Sequence, residues 1–249
     1  MAEEAFRGPS LITTIHRWWR ENSARYGSFS TLKRFTSALW EFARDSTPAR
    51  RRQRYGDVEY DWDFRVNTTG ATVGWRDRLL GHFHSPYQPT EPALFHEMLA
   101  RVMSIAKIDF REFTFIDIGS GKGRALLMAA DYPFQRILGV EILPELHRVA
   151  KANISKYKSD SQQCFAIDYL LADASEFTFP PEPTVVYLFN PLPESGLAKM
   201  VGNLEFSLQK HPRAVYVLYH NPLLERMLTR NTVFERIAGS HQYSIFFPK

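Results

Sequence analysis

The stretch that most constrains this chain runs from Phe113 to Arg124: Phe-Thr-Phe-Ile-Asp-Ile-Gly-Ser-Gly-Lys-Gly-Arg. Apolar, β-prone residues (Phe113, Phe115, Ile116, Ile118) enclose a single acid, Asp117. Gly119, Gly121 and Gly123 follow, then a helix-forming run from Arg124 to Ala130. The pattern predicts a buried strand, a tight glycine turn and a helix. Without Cβ atoms the turn can adopt positive φ and let a ligand approach the backbone. The embedded acid narrows the ligand. A dinucleotide-binding turn reads Gly-x-Gly-x-x-Gly and sets a pyrophosphate on the helix N-terminus. Here the third glycine comes one residue early, and a carboxylate stands two residues before the first. That carboxylate repels a pyrophosphate and welcomes a cation or a hydroxyl-rich ligand.

The chain's 249 residues suffice for one large α/β domain with an N-terminal extension. A single cysteine, Cys164, leaves no disulfide framework and points to a reducing compartment. No apolar run approaches the ~18 residues of a membrane span, and the acidic start lacks a signal-peptide core. A cytoplasmic protein is the expectation. Charge is uneven. The first 56 residues hold 11 Lys and Arg against 5 Asp and Glu, with a peak at Arg50, Arg51, Arg52 and Arg54. Such a cluster suits a nucleic acid or an acidic partner, or a solvated linker.

Upstream of the glycines, Leu11, Ile15, Trp18 and Trp19, then Leu32, Phe35, Leu39 and Phe42, fall at helical spacing and predict two helices. Tyr55 to Gly81 is turn-rich and reads as an ordered loop or lid. Thr90 and Pro92 open a helix with Leu94, Phe95, Met98, Leu99, Val102 and Met103 at helical spacing, and with Thr90 as the expected N-cap. Downstream, Arg136 to Ile142 is a strand ending in Glu141, placed to accept both ribose hydroxyls of an adenosine. A helix, a strand near Phe165 to Leu171, and Ala172-Asp173-Ala174 come next. Thr184 to Phe189 is a fourth strand running into Asn190-Pro191-Leu192-Pro193, and Ala214 to Tyr219 a fifth, ending at His220. Two short strands close the chain.

Asp117-x-Gly119-x-Gly121-x-Gly123 resembles the loop of class I methyltransferases that binds S-adenosylmethionine (SAM), a ligand cationic at its sulfonium and amino groups and without phosphate. The resemblance covers residue 85 to the C-terminus. It implies an α/β, Rossmann-like doubly wound sheet of seven strands, the last antiparallel. Residues 1–84 then form a helical extension with a lid or loop region, and 85–249 the catalytic domain. It also implies that Asp117, Gly119, Ser120, Gly121 and Gly123 bind SAM, with the Tyr87–Pro92 segment beside its methionine end. Glu141 would take the ribose, Asp173 and Ala174 the adenine, and Ile142 would add a further cofactor contact. Asn190 would contact SAM beside the transferable methyl group and orient an amine acceptor. Tyr87, in Tyr87-x-Pro89-Thr90-x-Pro92, would flank the methyl.

Methyltransferases acting on the amino groups of adenine or glutamine show Asn/Asp-Pro-Pro-Tyr/Phe at the fourth strand end. This chain keeps Asn190-Pro191 but has Leu192-Pro193, so the aromatic platform for a base is missing. The expected activity is methyl transfer from SAM to an unidentified acceptor, an amine on a protein side chain or a small molecule. Three alternatives stand beside it: a nucleic-acid methyltransferase using the basic N-terminus, an NAD-dependent oxidoreductase, and a SAM-binding protein without catalysis. Nucleic acid is the less favoured partner, a membrane is not expected, and no metal-ligand spacing is present. His220 reads as a hydrogen-bonded structural residue rather than a base.

Overall fold

A computed structural model describes residues 10–45, 58–69, 88–230 and 232–249. Tyr87 and the arginine cluster at 50–54 lie outside the described residues.

Seven strands form one sheet: β1 (Thr114–Ile118), β2 (Arg136–Glu141), β3 (Ile167–Leu171), β4 (Thr184–Leu188), β5 (Val215–His220), β6 (Phe234–Gly239) and β7 (Tyr243–Pro248). Their order is β3-β2-β1-β4-β5-β7-β6. The pairs from β3 to β5 are parallel, and β7 pairs antiparallel with both β5 and β6. β1 and β4 are buried along their whole length, as expected of central strands covered on both faces. The order reverses between β1 and β4, the switch point at which open α/β sheets bind ligands beyond the strands' carboxyl ends.

One face packs Phe115, Tyr187 and Leu218 against Phe95, Met98 and Leu99 of a helix at Pro92–Ala106 and Leu126 and Leu127 of a helix at Arg124–Ala129. The other packs Ile116, Val186 and Val217 against Leu197, Val201 and Leu204 of a helix at Glu194–Lys210. A further helix, Pro144–Lys156, follows β2.

Both expected N-terminal helices are present, at Leu11–Tyr26 and Ser28–Asp45. They pack through Phe35, whose ring lies 6.0 Å from Trp18 and 5.9 Å from Trp19. The first is tied to the start of the Glu194–Lys210 helix, where Glu21 accepts from the Ser195 hydroxyl at 2.9 Å and Arg25 pairs with Glu194. Two expectations differ from the structure. Val58–Phe64, in the region read as a loop, is a helix, its short apolar face held by Tyr60 and Phe64 against Tyr157. Thr90 is not a cap: Glu91 holds that position, and the buried Thr90 hydroxyl instead meets Tyr187 Oη at 3.0 Å.

Candidate cofactor and acceptor site

β1 ends at Ile118, and the chain turns at once. Gly119, Gly121 and Gly123 have φ of 77°, 56° and 84°, in the left-handed region where a side chain is strained. Space also demands glycine: a Cβ on Gly119 would lie 2.4 Å from the Cβ of Pro191. The glycine loop of the cofactor half thus touches the turn after β4.

The loop's peptide groups are bonded in turn. The N–H groups of Gly119 and Ser120 donate to the Val140 carbonyl at 2.9 and 3.0 Å. Gly121 N–H donates to Glu141 Oε2 at 2.8 Å. The Tyr169 hydroxyl donates to the Gly121 carbonyl at 2.8 Å, and Asn153 Nδ2 to the Lys122 carbonyl at 2.9 Å. Glu141 is buried, and its Oε1 accepts from Leu143 N–H at 2.8 Å. The Ile142 N–H also faces the carboxylate, so only part of its acceptor capacity remains for a further donor. Burial raises its pKa, against the backbone N–H groups that lower it.

Asp117 is different. It is 3 % exposed and has no hydrogen-bond partner among the described residues. Desolvation, with the Glu141 charge added, raises its pKa well above the usual carboxylate range. The Ser120 hydroxyl, on the next turn of the chain, is buried and also lacks a partner. Buried polar groups are normally hydrogen-bonded, so an orphaned carboxylate and an orphaned hydroxyl at the switch point mark a place for a ligand that donates hydrogen bonds and carries positive charge.

The other expected residues lie along the same carboxyl edge. Asp173 and Ala174 follow β3, where Asp173 Oδ1 accepts from Ser175 N–H at 2.8 Å and Ala174 is buried. Ile142 follows Glu141 at the end of β2 and is half-buried. Asn190 follows β4 with φ 45°, a conformation asparagine tolerates. Its amide is committed at both ends: Nδ2 donates to the Asn221 carbonyl at 2.6 Å, and Oδ1 accepts from the Tyr219 hydroxyl at 2.9 Å. His220 ends β5. Its ring stacks on Phe189 (3.9 Å, 18°), and its Nδ1 bonds Tyr187 Oη at 2.8 Å, extending the Thr90–Tyr187 pair into a buried chain of three. Burial lowers its pKa to about 4, so the imidazole is neutral at pH 7.

Going across the sheet, the ends of β3, β2, β1 and β4 present Asp173, Glu141, Asp117 with the glycines, and Asn190. The dinucleotide fold runs 3-2-1-4-5-6. Here an antiparallel β7 stands between β5 and β6, the methyltransferase variant of the Rossmann sheet. Residues 116–190 match the family model described as a methyltransferase domain. The chain carries a methyltransferase-like Rossmann domain, matched over residues 116–190.

A protein-lysine N-methyltransferase of Saccharolobus islandicus is 38 % identical to the chain over 74 residues, a match that takes in 29 % of this chain and 43 % of that relative. Among solved structures, a putative methyltransferase, yhhF, from Escherichia coli aligns over 63 % of this chain and 84 % of its own, with 13 % identity and a TM-score of 0.46. An RNA methyltransferase from Salinibacter ruber in complex with S-adenosyl-L-homocysteine aligns over 64 % and 91 %, with 21 % identity and a TM-score of 0.39. With TM-scores this low, strand order and the family match identify the methyltransferase domain, not these likenesses.

What the sequence did not disclose is the packing partners of the site. Asp61, Asn67, Thr68 and Asn153 all bond to the glycine loop or its helix. A signal was there: Lys122 and Arg124 flank Gly123 in an otherwise apolar stretch, and buried cations need acceptors from somewhere. The described residues also line a hollow of about 440 Å³ near Thr114, Arg136 and Leu170, at the opposite edge of the sheet from the glycines.

Proposed function

We propose that this protein transfers a methyl group from SAM to an amine, with a protein side chain as the favoured acceptor. The observation that carries the cofactor part is Asp117, a buried carboxylate without a hydrogen-bond partner among the described residues, beside three positive-φ glycines. It fits a ligand with a cationic methionine end and no phosphate. Ser120 supplies a second unused group there. Glu141 keeps acceptor capacity for a ribose hydroxyl, Ile142 adjoins it at the end of β2, and Asp173 and Ala174 bound the adenine side. The protein-lysine N-methyltransferase among the relatives supports the amine acceptor.

SAM, when bound, supplies a methyl group already activated on a sulfonium. The chain's own work is then alignment, which can contribute several kcal/mol, and exclusion of water. Asn190 acts as a brace. With its Nδ2 and one Oδ1 lone pair engaged, it fixes the turn that faces the acceptor, and an incoming N–H would find only the second lone pair of Oδ1. Tyr87 is proposed to flank the methyl. The neutral His220, packed on Phe189, stiffens the floor between β4 and β5.

Two measurements test this reading. Calorimetry is expected to show binding of SAM and S-adenosylhomocysteine and none of NADH. Labelled SAM added to cell extract is expected to label protein, and the label should survive base treatment as a methylamine does. Stabilisation by NADH but not by S-adenosylhomocysteine would sink the methyltransferase reading, since a ligand of the native state must stabilise it. Label confined to RNA would overturn the amine-on-protein acceptor.

A further inference from the structure

Two cations of the glycine stretch take no part in the binding scheme above. Lys122 is fully buried and Arg124 is 2 % exposed. A buried cation is costly unless acceptors surround it, and both find acceptors in the same segment, Val58–Thr69, more than fifty residues upstream. Lys122 Nζ donates to Asn67 Oδ1 at 3.0 Å and to the Thr69 carbonyl at 2.5 Å. Arg124 Nε donates to Thr68 Oγ1 at 2.6 Å, and its Nη2 faces Asp61 Oδ1 at 3.5 Å. The guanidinium also lies over the Tyr60 ring, 4.9 Å from its centroid.

The segment is shaped to meet them. The Asp61 carboxylate accepts from the N–H groups of Thr68 (2.8 Å) and Thr69 (2.7 Å) and from the Thr68 hydroxyl, so one acid folds the turn and faces Arg124. Asn153, on the helix after β2, completes the junction. It accepts from Asn67 N–H at 2.8 Å and donates to the carbonyls of Asn67 and Lys122, both at 2.9 Å. Arg124 reaches past the junction to the Thr90 carbonyl at 3.4 Å, where the Thr90–Tyr187–His220 chain begins. The charges that face Lys122 are Asp61, Glu145 and Arg124; burial brings its pKa down to about 8, and at neutral pH the ammonium persists.

We propose that Val58–Thr69 is a working part of the cofactor site: a strap whose Asp61, Asn67 and Thr68 hold the glycine loop in its ligand-receiving shape through Lys122 and Arg124, and so set cofactor affinity without touching the cofactor. These are positioning residues, and the proposal rests on the glycine loop being the SAM site. A network of such fixed hydrogen bonds specifies one geometry when complete and weakens as a unit when one member is removed. The expected boundary at residue 84 therefore cuts through the cofactor site, because the strap belongs to the loop it holds.

The test compares Asn67→Ala, Lys122→Met, the double variant and Asn67→Asp in the full chain. S-adenosylhomocysteine affinity is read by calorimetry, and hydrogen exchange is followed at the amides of residues 119–123 and of β5. Each single variant is expected to bind about tenfold more weakly or worse, the scale of losing a hydrogen bond to a charged group. The double should be no worse than the weaker-binding single, because the Asn67–Lys122 contact is already lost in each. Asn67→Asp keeps the acceptor oxygen and should bind within about threefold of wild type. Loop amides should exchange faster in Asn67→Ala while β5 stays protected. Wild-type affinity in both singles with unchanged loop exchange, or losses that multiply in the double, would overturn the proposal. If Lys122→Met does not fold, the Asn67→Ala and Asn67→Asp pair decides. If the wild type binds no S-adenosylhomocysteine, the SAM reading fails, while loop exchange still reports whether the strap holds the loop.

Discussion

The glycine loop after β1 and the turn after β4 touch each other at Gly119 and Pro191, yet they are held by different means. The loop is wrapped in buried bonds: the Val140 carbonyl, Glu141, Tyr169 and Asn153 hold its peptide groups, and the strap grips the side chains of Lys122 and Arg124. The turn hangs on one side chain, Asn190, reaching to Tyr219 and Asn221 across the strand gap. Beyond it, Glu194 is pinned by Arg25 and Arg226 at the surface, where ion pairs contribute little. A densely bonded loop suits a cofactor that is the same in every turnover. A lightly braced turn beside the first N-terminal helix suits, on the proposed reading, an acceptor that differs from one enzyme to the next.

The contrast breaks or sharpens at Asn190. Asn190→Ala removes both side-chain bonds and places alanine at φ 45°, which it resists. SAM affinity is expected within about threefold of wild type, with turnover down roughly 100-fold or more, because misplacement of the attacking atom is felt in the transition state. Calorimetry beside labelled methyl transfer measures both. Equal losses in affinity and turnover would mean that turn and loop form one unit and the distinction is false.

Glu141→Ala probes the loop side, with a somewhat smaller expected effect of roughly 10- to 100-fold on SAM affinity. The variant also orphans the buried N–H groups of Gly121 and Leu143, so the free protein should melt earlier. Glu141→Gln keeps one carbonyl oxygen and should recover part of both losses. An unchanged affinity in Glu141→Ala, with only the melting temperature reduced, would make Glu141 a brace of the loop rather than a ribose ligand.

These two regions also differ in how much of them could be read from the sequence. The order of strand, glycine turn and helix is local, and spacing alone placed Asp117, Glu141, Asp173 and Asn190 at successive strand ends. Contacts that close the site are not local. Nothing in the turn-rich sequence around Asp61 says that it meets Arg124, 63 residues on. Nothing in Thr90-x-Pro92 says that threonine abandons the cap to reach Tyr187. Asn190 was legible as a position but not as a committed amide, because its partners come from β5 and the turn after it. Periodicity reports which face is buried; it does not report which polar groups meet inside.

The smallest expected effect, and the one that isolates the unpartnered carboxylate, is a slope. Burial and Glu141 raise the pKa of Asp117 in the folded protein, while the unfolded chain titrates near 3.9. Above about pH 4 the native state therefore holds more protons than the unfolded state, and stability falls as pH rises toward the raised native value. His220 acts in the opposite sense. Its native pKa of about 4 lies below the unfolded value of about 6.5, so its contribution is present above 6.5 and lost as pH falls toward 4. The two overlap in wild type but separate by difference. Asp117→Asn minus wild type cancels His220, and the variant's advantage in melting temperature should grow steadily from pH 4 upward. SAM should reverse the order. A cation beside Asp117 favours the carboxylate, so wild type should release a proton on binding SAM, visible as a dependence of the calorimetric heat on the buffer's ionisation enthalpy. Asp117→Asn should show no such dependence from this site. A flat difference curve together with buffer-independent heats would mean that Asp117 is charged in the free protein, and the loop would then owe its cation preference to a standing charge rather than to one that appears with the ligand.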